Sequence, residues 1–217
     1  MTIMNAEGWV LAGGRSLRMG EDKAGVVLAG RRLLDHMLGK LRALGLRGRV
    51  AGLRQPIMEN AAEVFTDAHP DCGPLSGMET ALARSEAALV MVLGVDLPLL
   101  PTEFLTWMLE RALTTGAVVT MPRLLGEPQP LCAVYRRELV PGITAALEAG
   151  DYKVMNMVER AAGRIGAGGR LDCFDAERVA STGAWRSTVP THQQFMNCNT
   201  PAELKVAQRL LASTSML

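Results

Sequence analysis

The chain has 217 residues, of which 48% are hydrophobic, and a formal net charge of +1. That is enough apolar material for one domain spanning 1–217, and the near-neutral balance argues against nucleic acid or an acidic membrane as a partner. An aromatic content of 4% leaves little for stacking single-stranded bases.

The first apolar run, 9–11, reads as the end of a buried strand. It leads into Leu11-Ala12-Gly13-Gly14-Arg15-Ser16-Leu17-Arg18-Met19-Gly20-Glu21-Asp22-Lys23. Glycines let the backbone turn sharply and approach a ligand closely. Successive N–H groups in such a turn form an anion-binding concavity, and Arg18 and Lys23 add positive charge to it. The loop matches neither a P-loop, because Gly20 is followed by Glu21, nor a G-x-G-x-x-G fingerprint. It reads as a triphosphate cradle of another kind.

Next come a helix over 33–43, with Leu34, Met37, Leu38 and Leu41 at helical spacing, and strands at 49–52 and 63–66. Asp67 follows the third strand. Gly73-Pro74-Leu75-Ser76-Gly77 opens a helix over 75–84, whose positive end suits an anion. The strongest apolar run, 89–95, ends at Asp96. Ligands of open α/β sheets bind beyond the carboxyl ends of strands, so Asp96 is a candidate Mg²⁺ ligand against a nucleotide phosphate. A turn-forming Asp ahead of Pro98 is the plainer alternative. A helix over 102–113, strands at 117–121 and 131–135, and a helix over 139–149 follow. The glycine- and arginine-rich stretch 161–187 reads as a flexible surface excursion. Thr200-Pro201 opens a last helix over 201–212. Strands alternating with helices predict an α/β fold with a mostly parallel, doubly wound sheet.

Cys72, Cys132, Cys173 and Cys198 are scattered, without a C-x-x-C pair, which favours free thiols in a cytoplasmic setting over a structural zinc. No secretory leader and no membrane-crossing run is recognisable; 87–100 is interrupted by Asp96 and Pro98. His36, His69 and His192 match no catalytic constellation.

The first motif resembles the signature of the nucleotidyltransferases that mature the molybdenum cofactor. Gly73-Pro74-Leu75-Ser76-Gly77, Asp96-Leu97-Pro98 and Asn197-Cys198-Asn199-Thr200-Pro201 follow in the same order. The match is to the guanylyltransferase branch, since the cytidylyltransferase branch resembles Leu-Ala-Ala-Gly where this chain has Gly13. The resemblance implies a Rossmann-like nucleotidyltransferase fold and transfer of GMP from GTP to the phosphate of molybdopterin, with Mg²⁺ as cofactor and pyrophosphate as product. It further implies contact with other cofactor-biosynthesis proteins or recipient molybdoenzymes.

Carried over position by position, the resemblance implies a nucleotide site at Leu11, Ala12, Gly13, Gly14, Lys23, Asp67 and Asp96. It implies catalytic roles for Arg18, Lys23 and Asp96, and acceptor contacts at Gly73, Gly77, Lys153, Asn197 and Asn199. Two positions depart from the family pattern. Ala51-Gly52 stands where relatives often carry Asn after the second strand, which leaves backbone groups of Leu11 and Gly13, with Asp67, to read guanine. Lys153 stands where relatives often have Arg. Capping of the last helix is the alternative reading of Asn197 and Asn199. CTP as donor, or a nucleotide-binding regulatory module without turnover, are the alternative functions.

Overall fold

The computed structural model describes residues 5–13, 23–53 and 62–214. The chain enters through β1 (Ala6–Leu11), turns at Lys23–Gly25, and forms a hairpin of β2 (Val27–Leu28) and β3 (Arg31–Arg32) that leads into α1 (Leu33–Ala43). Then come β4 (Gly48–Ala51), β5 (Glu63–Phe65), α2 (Pro74–Arg84), β6 (Leu89–Gly94) and α3 (Thr102–Thr115). β7 (Val119–Leu124), β8 (Glu127–Pro128), β9 (Cys132–Arg136), α4 (Val140–Glu148) and α5 (Val154–Ile165) follow. The chain closes with β10 (Leu171–Asp175), α6 (Ala176–Ser181), α7 (Thr191–Gln194) and α8 (Pro201–Thr214).

Among the described residues one eight-stranded sheet runs β10-β7-β9-β6-β1-β4-β5, with β8 paired to β7. The pairs β1–β4, β1–β6, β4–β5 and β7–β10 are parallel; β9 is antiparallel to both of its neighbours, and β8 to β7. All six residues of β6 are buried, as expected of a central strand covered on both faces. One core layer packs Leu33, Met37 and Leu41 of α1 and Phe104, Leu105 and Met108 of α3 against the sheet. The other packs Leu75, Met78 and Leu82 of α2 with Ile143 of α4 and Val158 of α5. The mostly parallel, doubly wound α/β architecture is thus as expected. No described helix is long and apolar enough to cross a membrane.

The stretch 161–187 differs from its reading as a flexible excursion. It holds the end of α5, the edge strand β10 in parallel register with β7, and α6. Arg111 of α3 grips Asp172 through two hydrogen bonds of 2.7 Å, and Trp185 stacks edge-on against Phe104 at 4.8 Å. The glycines belong to a tight connection. A Cβ at Gly169 would lie 1.8 Å from the Ala162 carbonyl oxygen, so only glycine lets this turn pass so close to α5. Glycine content alone suggested looseness where close packing was the reason.

Candidate active site

The carboxyl ends of β1, β4, β5 and β6 open onto a cleft of about 950 Å³. Its walls include Leu11, Gly13, Lys23, Gly52, Asp67, Gly73, Gly94, Asp96 and Leu131. A hollow of about 530 Å³ at the opposite end of the strands, lined by Asn5, Glu86, Arg137 and Glu138, contains none of the predicted site residues.

One end of the cleft is built around Asp67. The Ala12 N–H donates to the Ala51 carbonyl at 2.9 Å and the Gly52 N–H to the Phe65 carbonyl at 3.1 Å, which brings three strand ends together. Gly52 has φ +77, and a Cβ there would lie 3.0 Å from Asp67 Oδ2 and 3.1 Å from the Gly13 Cα. The backbone of Gly52 therefore passes close to Gly13 and Asp67 in a conformation that a side chain would block. Thr80 of α2 donates its hydroxyl to Asp67 Oδ1 at 3.3 Å. Burial pushes the Asp67 carboxyl above its ordinary range; the Thr80 hydrogen bond opposes that rise and the Glu79 carboxylate adds to it.

At the other end, Lys23 Nζ donates to Asp96 Oδ2 at 2.9 Å, with the two side chains 20% and 16% exposed. Lys23 reaches this point from the short turn after the glycine loop, and Asp96 from the end of β6. Gly94 makes room for the carboxylate: a Cβ there would lie 2.9 Å from Asp96 Oδ1. The Cys198 N–H donates to the Asp96 carbonyl at 2.9 Å, which draws the segment before α8 to the rim of the site. The Cys198 thiol itself is buried and its pKa is pushed up to about 12, by burial first and then by the nearby carboxylates of Asp96 and Glu203. It is an anchor rather than a nucleophile.

The acceptor-side residues fall in different places. Gly73 lines the cleft, opens α2 and has φ +69. Gly77 packs nearer the Asp67 end, where a Cβ would lie 3.2 Å from Leu11 Cδ2 and 3.8 Å from Asp67 Oδ1. Lys153 is exposed at the start of α5, and its N–H donates to Asp151 Oδ1 at 3.2 Å. Asn197 is exposed, whereas Asn199 Oδ1 is buried and makes no hydrogen bond among the described residues. The capping alternative for the asparagines is taken by their neighbours. The Glu203 N–H donates to Thr200 Oγ1 at 3.2 Å, and the Asn199 N–H donates to Glu203 Oε2 at 2.8 Å. Gly14 and Arg18 lie outside the described residues.

The donor set suits a hard cation. Mg²⁺ is commonly held by one or two carboxylates together with substrate phosphates, and Asp96 supplies one carboxylate in a cradle that a Cβ at Gly94 would fill. No cluster of three or more His, Cys, Asp or Glu exists among the described residues, so a site enclosed by protein ligands alone is not built there. Sequence reading missed Gly94, Leu131 and Thr80. Thr80 had a signal: it lies three residues after Gly77, on the same face of α2. Gly94 and Leu131 had none, because β6 and β9 meet only through the sheet.

Comparison with known proteins identifies the family and the fold. A family model described as a MobA-like NTP transferase domain matches residues 8–165. The molybdenum cofactor guanylyltransferase of Xanthomonas euvesicatoria pv. vesicatoria is 31% identical over 198 residues, covering 90% of this chain and 90% of that protein. The crystal structure of molybdopterin-guanine dinucleotide biosynthesis protein A from Archaeoglobus fulgidus has a TM-score of 0.75 at 22% identity, over 95% of this chain and 99% of that one. The 2-C-methyl-D-erythritol 4-phosphate cytidylyltransferase of Thermus thermophilus has a TM-score of 0.67 at 16% identity, over 96% and 100%. At these identities the structural likenesses establish the fold alone. Since one of those structures is named for guanine and the other for cytidine chemistry, the base has to be argued from the site.

Proposed function

The chain belongs to the MobA-like NTP transferase family, and we propose that within it the protein is a molybdenum cofactor guanylyltransferase. It transfers GMP from GTP to the phosphate of molybdopterin and releases pyrophosphate. The acceptor phosphate is already an ionised nucleophile, so no general base is needed. One of its oxygens attacks the α-phosphorus, the bond to the bridging oxygen breaks, and that oxygen leaves with pyrophosphate. The protein contributes positioning and charge neutralisation.

The observation that carries the reading is the pairing of Lys23 with Asp96, just beyond the end of β6 and in the wall of the cleft. Lys23 and Arg18 bind the triphosphate and the departing pyrophosphate. Asp96 would hold Mg²⁺, which when bound supplies Lewis-acid neutralisation of phosphate charge. Asn197, Asn199 and Lys153 hold the pterin side, and the unpaired Oδ1 of Asn199 supports this role for the amide. Guanine is favoured over cytosine at the Asp67 end. An ionised carboxylate only accepts hydrogen bonds, and the guanine edge offers two neighbouring donors, N1–H and the 2-amino group. Backbone groups of Leu11 and Gly13 complete that corner.

The direct test is Mg²⁺-dependent formation of the dinucleotide cofactor and pyrophosphate from GTP and molybdopterin, with CTP and sugar phosphates as controls. Turnover with CTP in place of GTP, or none with either nucleotide, would overturn it.

A further inference from the structure

His69, Glu79 and Thr144 form a chain of contacts behind the cleft. Glu79 is only 8% exposed. Its Oε2 accepts from His69 Nδ1 at 2.7 Å, and its Oε1 accepts from the Thr144 hydroxyl of α4 at 2.7 Å. A carboxylate this buried is costly unless both oxygens are satisfied, and these two contacts satisfy them. The next residue on α2, Thr80, is the one that holds Asp67. Two consecutive helix residues therefore grip two alternate residues of the loop after β5.

That loop needs gripping. It runs from the end of β5 to α2 and supplies Asp67, Pro70, Asp71 and Gly73 to the cleft wall. Within three residues it turns through left-handed backbone twice, at Asp71 with φ +63 and at Gly73 with φ +69. Gly73 adopts such backbone freely, whereas Asp71 holds it at a cost that surrounding contacts must offset. The Thr80 contact, at 3.3 Å, is long for an O–H···O hydrogen bond and holds Asp67 by one oxygen only. The short contact two residues on supplies the second point that fixes the direction of the carboxylate.

We propose that His69 is a positioning residue for base recognition: through Glu79 and Thr144 it ties the Asp67 loop to α2 and α4 and so sets the preference for guanine. The inference rests on the reading that Asp67 meets the guanine edge. His69 faces Glu79 and touches no reacting atom. It acts by holding the Asp67 oxygens where N1–H and the 2-amino group can both reach them, a geometry that a drifting loop blurs.

The test is calorimetric titration of the full chain with GTP and with ITP, which lacks the 2-amino group. The unaltered protein is expected to prefer GTP, and Asp67→Asn to lose that preference. His69→Ala is expected to lower the GTP:ITP preference by about tenfold, the equivalent of one hydrogen bond, with a smaller loss for ITP itself, which keeps N1–H. His69→Asn, whose amide nitrogen stands close to the position of Nδ1, is expected to restore most of it. An unchanged preference in a folded His69→Ala protein, or an equal loss for both nucleotides, overturns the clamp while leaving the role of Asp67 standing. No preference for GTP in the unaltered protein overturns the role of Asp67 and the clamp together.

Discussion

Lys23 Nζ and Asp96 Oδ2 meet at 2.9 Å across 73 positions of the chain. Lys23 opens the short turn at Lys23–Gly25 and Asp96 lies just beyond β6, so the contact joins segments that follow two neighbouring parallel strands. It sets the positive group that suits a triphosphate against the negative group that suits its cation. An ion pair between groups of such different tasks concentrates the chemistry of the site in one place, and each partner has its own expected loss.

Asp96→Asn keeps the shape of the side chain and removes its charge. The fold should survive, and turnover should fall by several kcal/mol of transition-state stabilisation, about a hundredfold or more. Steady-state kinetics across a Mg²⁺ titration check this. Near-normal activity in a folded variant would remove the metal role.

Lys23→Ala should weaken GTP much more than GMP if, as proposed, the lysine charge serves the outer phosphates. The loss for GTP should be about 1.5–3 kcal/mol, the worth of a charge-assisted contact. Calorimetry with both ligands measures it, and equal losses for GTP and GMP would contradict the assignment.

Gly94→Ala tests the space beside the Asp96 carboxylate, the proposed Mg²⁺ ligand. The added methyl would lie 2.9 Å from Asp96 Oδ1 and 3.6 Å from Leu131 Cβ. The carboxylate end is the part that can yield, so it should turn aside. Activity should drop by about tenfold to a hundredfold, since small misplacements at reacting centres are costly, with a modest change in melting temperature. A large loss of stability with normal activity per folded molecule would show that the strand, not the carboxylate, gives way.

Asp67 should oppose stability while serving function. Burial, its largest cause, raises its folded pKa above the unfolded value. The native state then binds the proton more tightly than the unfolded chain. The contribution of Asp67 to stability therefore falls as pH rises from the ordinary carboxylate range through the raised native value, and the penalty is fully present above that. Asp67→Asn should melt higher than the unaltered protein at neutral pH, and the gain should vanish in strong acid, where both states are protonated. GTP affinity of the unaltered protein should weaken as pH falls through the raised value, because a protonated carboxyl accepts less well. Melts and titrations across pH separate the two effects.

The residues before α8 divide by role. Thr200→Ala removes the hydroxyl that accepts from the Glu203 N–H, and should cost about 0.5–2 kcal/mol of stability with normal acceptor kinetics. Changing Asn197 and Asn199 together to Ala should spare GTP binding and damage acceptor use. Thermal melts, GTP titration and acceptor kinetics on both variants test the division. Unimpaired acceptor kinetics in the double variant would end the pterin assignment for the asparagines.

Much of this molecule is legible in its sequence, for local reasons. The apolar run 89–95 reads as a buried strand, and Asp96 after it lies at the end where open α/β sheets bind ligands. The spacing of Leu34, Met37, Leu38 and Leu41 carries a helix, and Thr200-Pro201 starts one. The glycine motif and the Asn-x-Asn-Thr-Pro segment announce the family. What failed was the stretch 161–187, where the glycines serve a close approach of Gly169 to Ala162 of α5 and the pairing of β10 with the distant β7 has no local signature.

The tertiary structure alone decided which of these residues meet. Sequence spacing cannot bring Lys23 to Asp96, because that distance depends on β1 and β6 pairing in register, Leu11 opposite Gly94. It cannot show that Gly52 lets its backbone pass close to Gly13 beside Asp67, nor that Gly77 packs at the Asp67 end of the cleft. Nor can it show that His69, which fits no catalytic pattern, is held by a buried glutamate next to the residue that holds Asp67. Composition and periodicity determine elements because each element forms from neighbours along the chain. A site forms from the ends of several elements, and those ends are brought together only by the packing of the whole sheet.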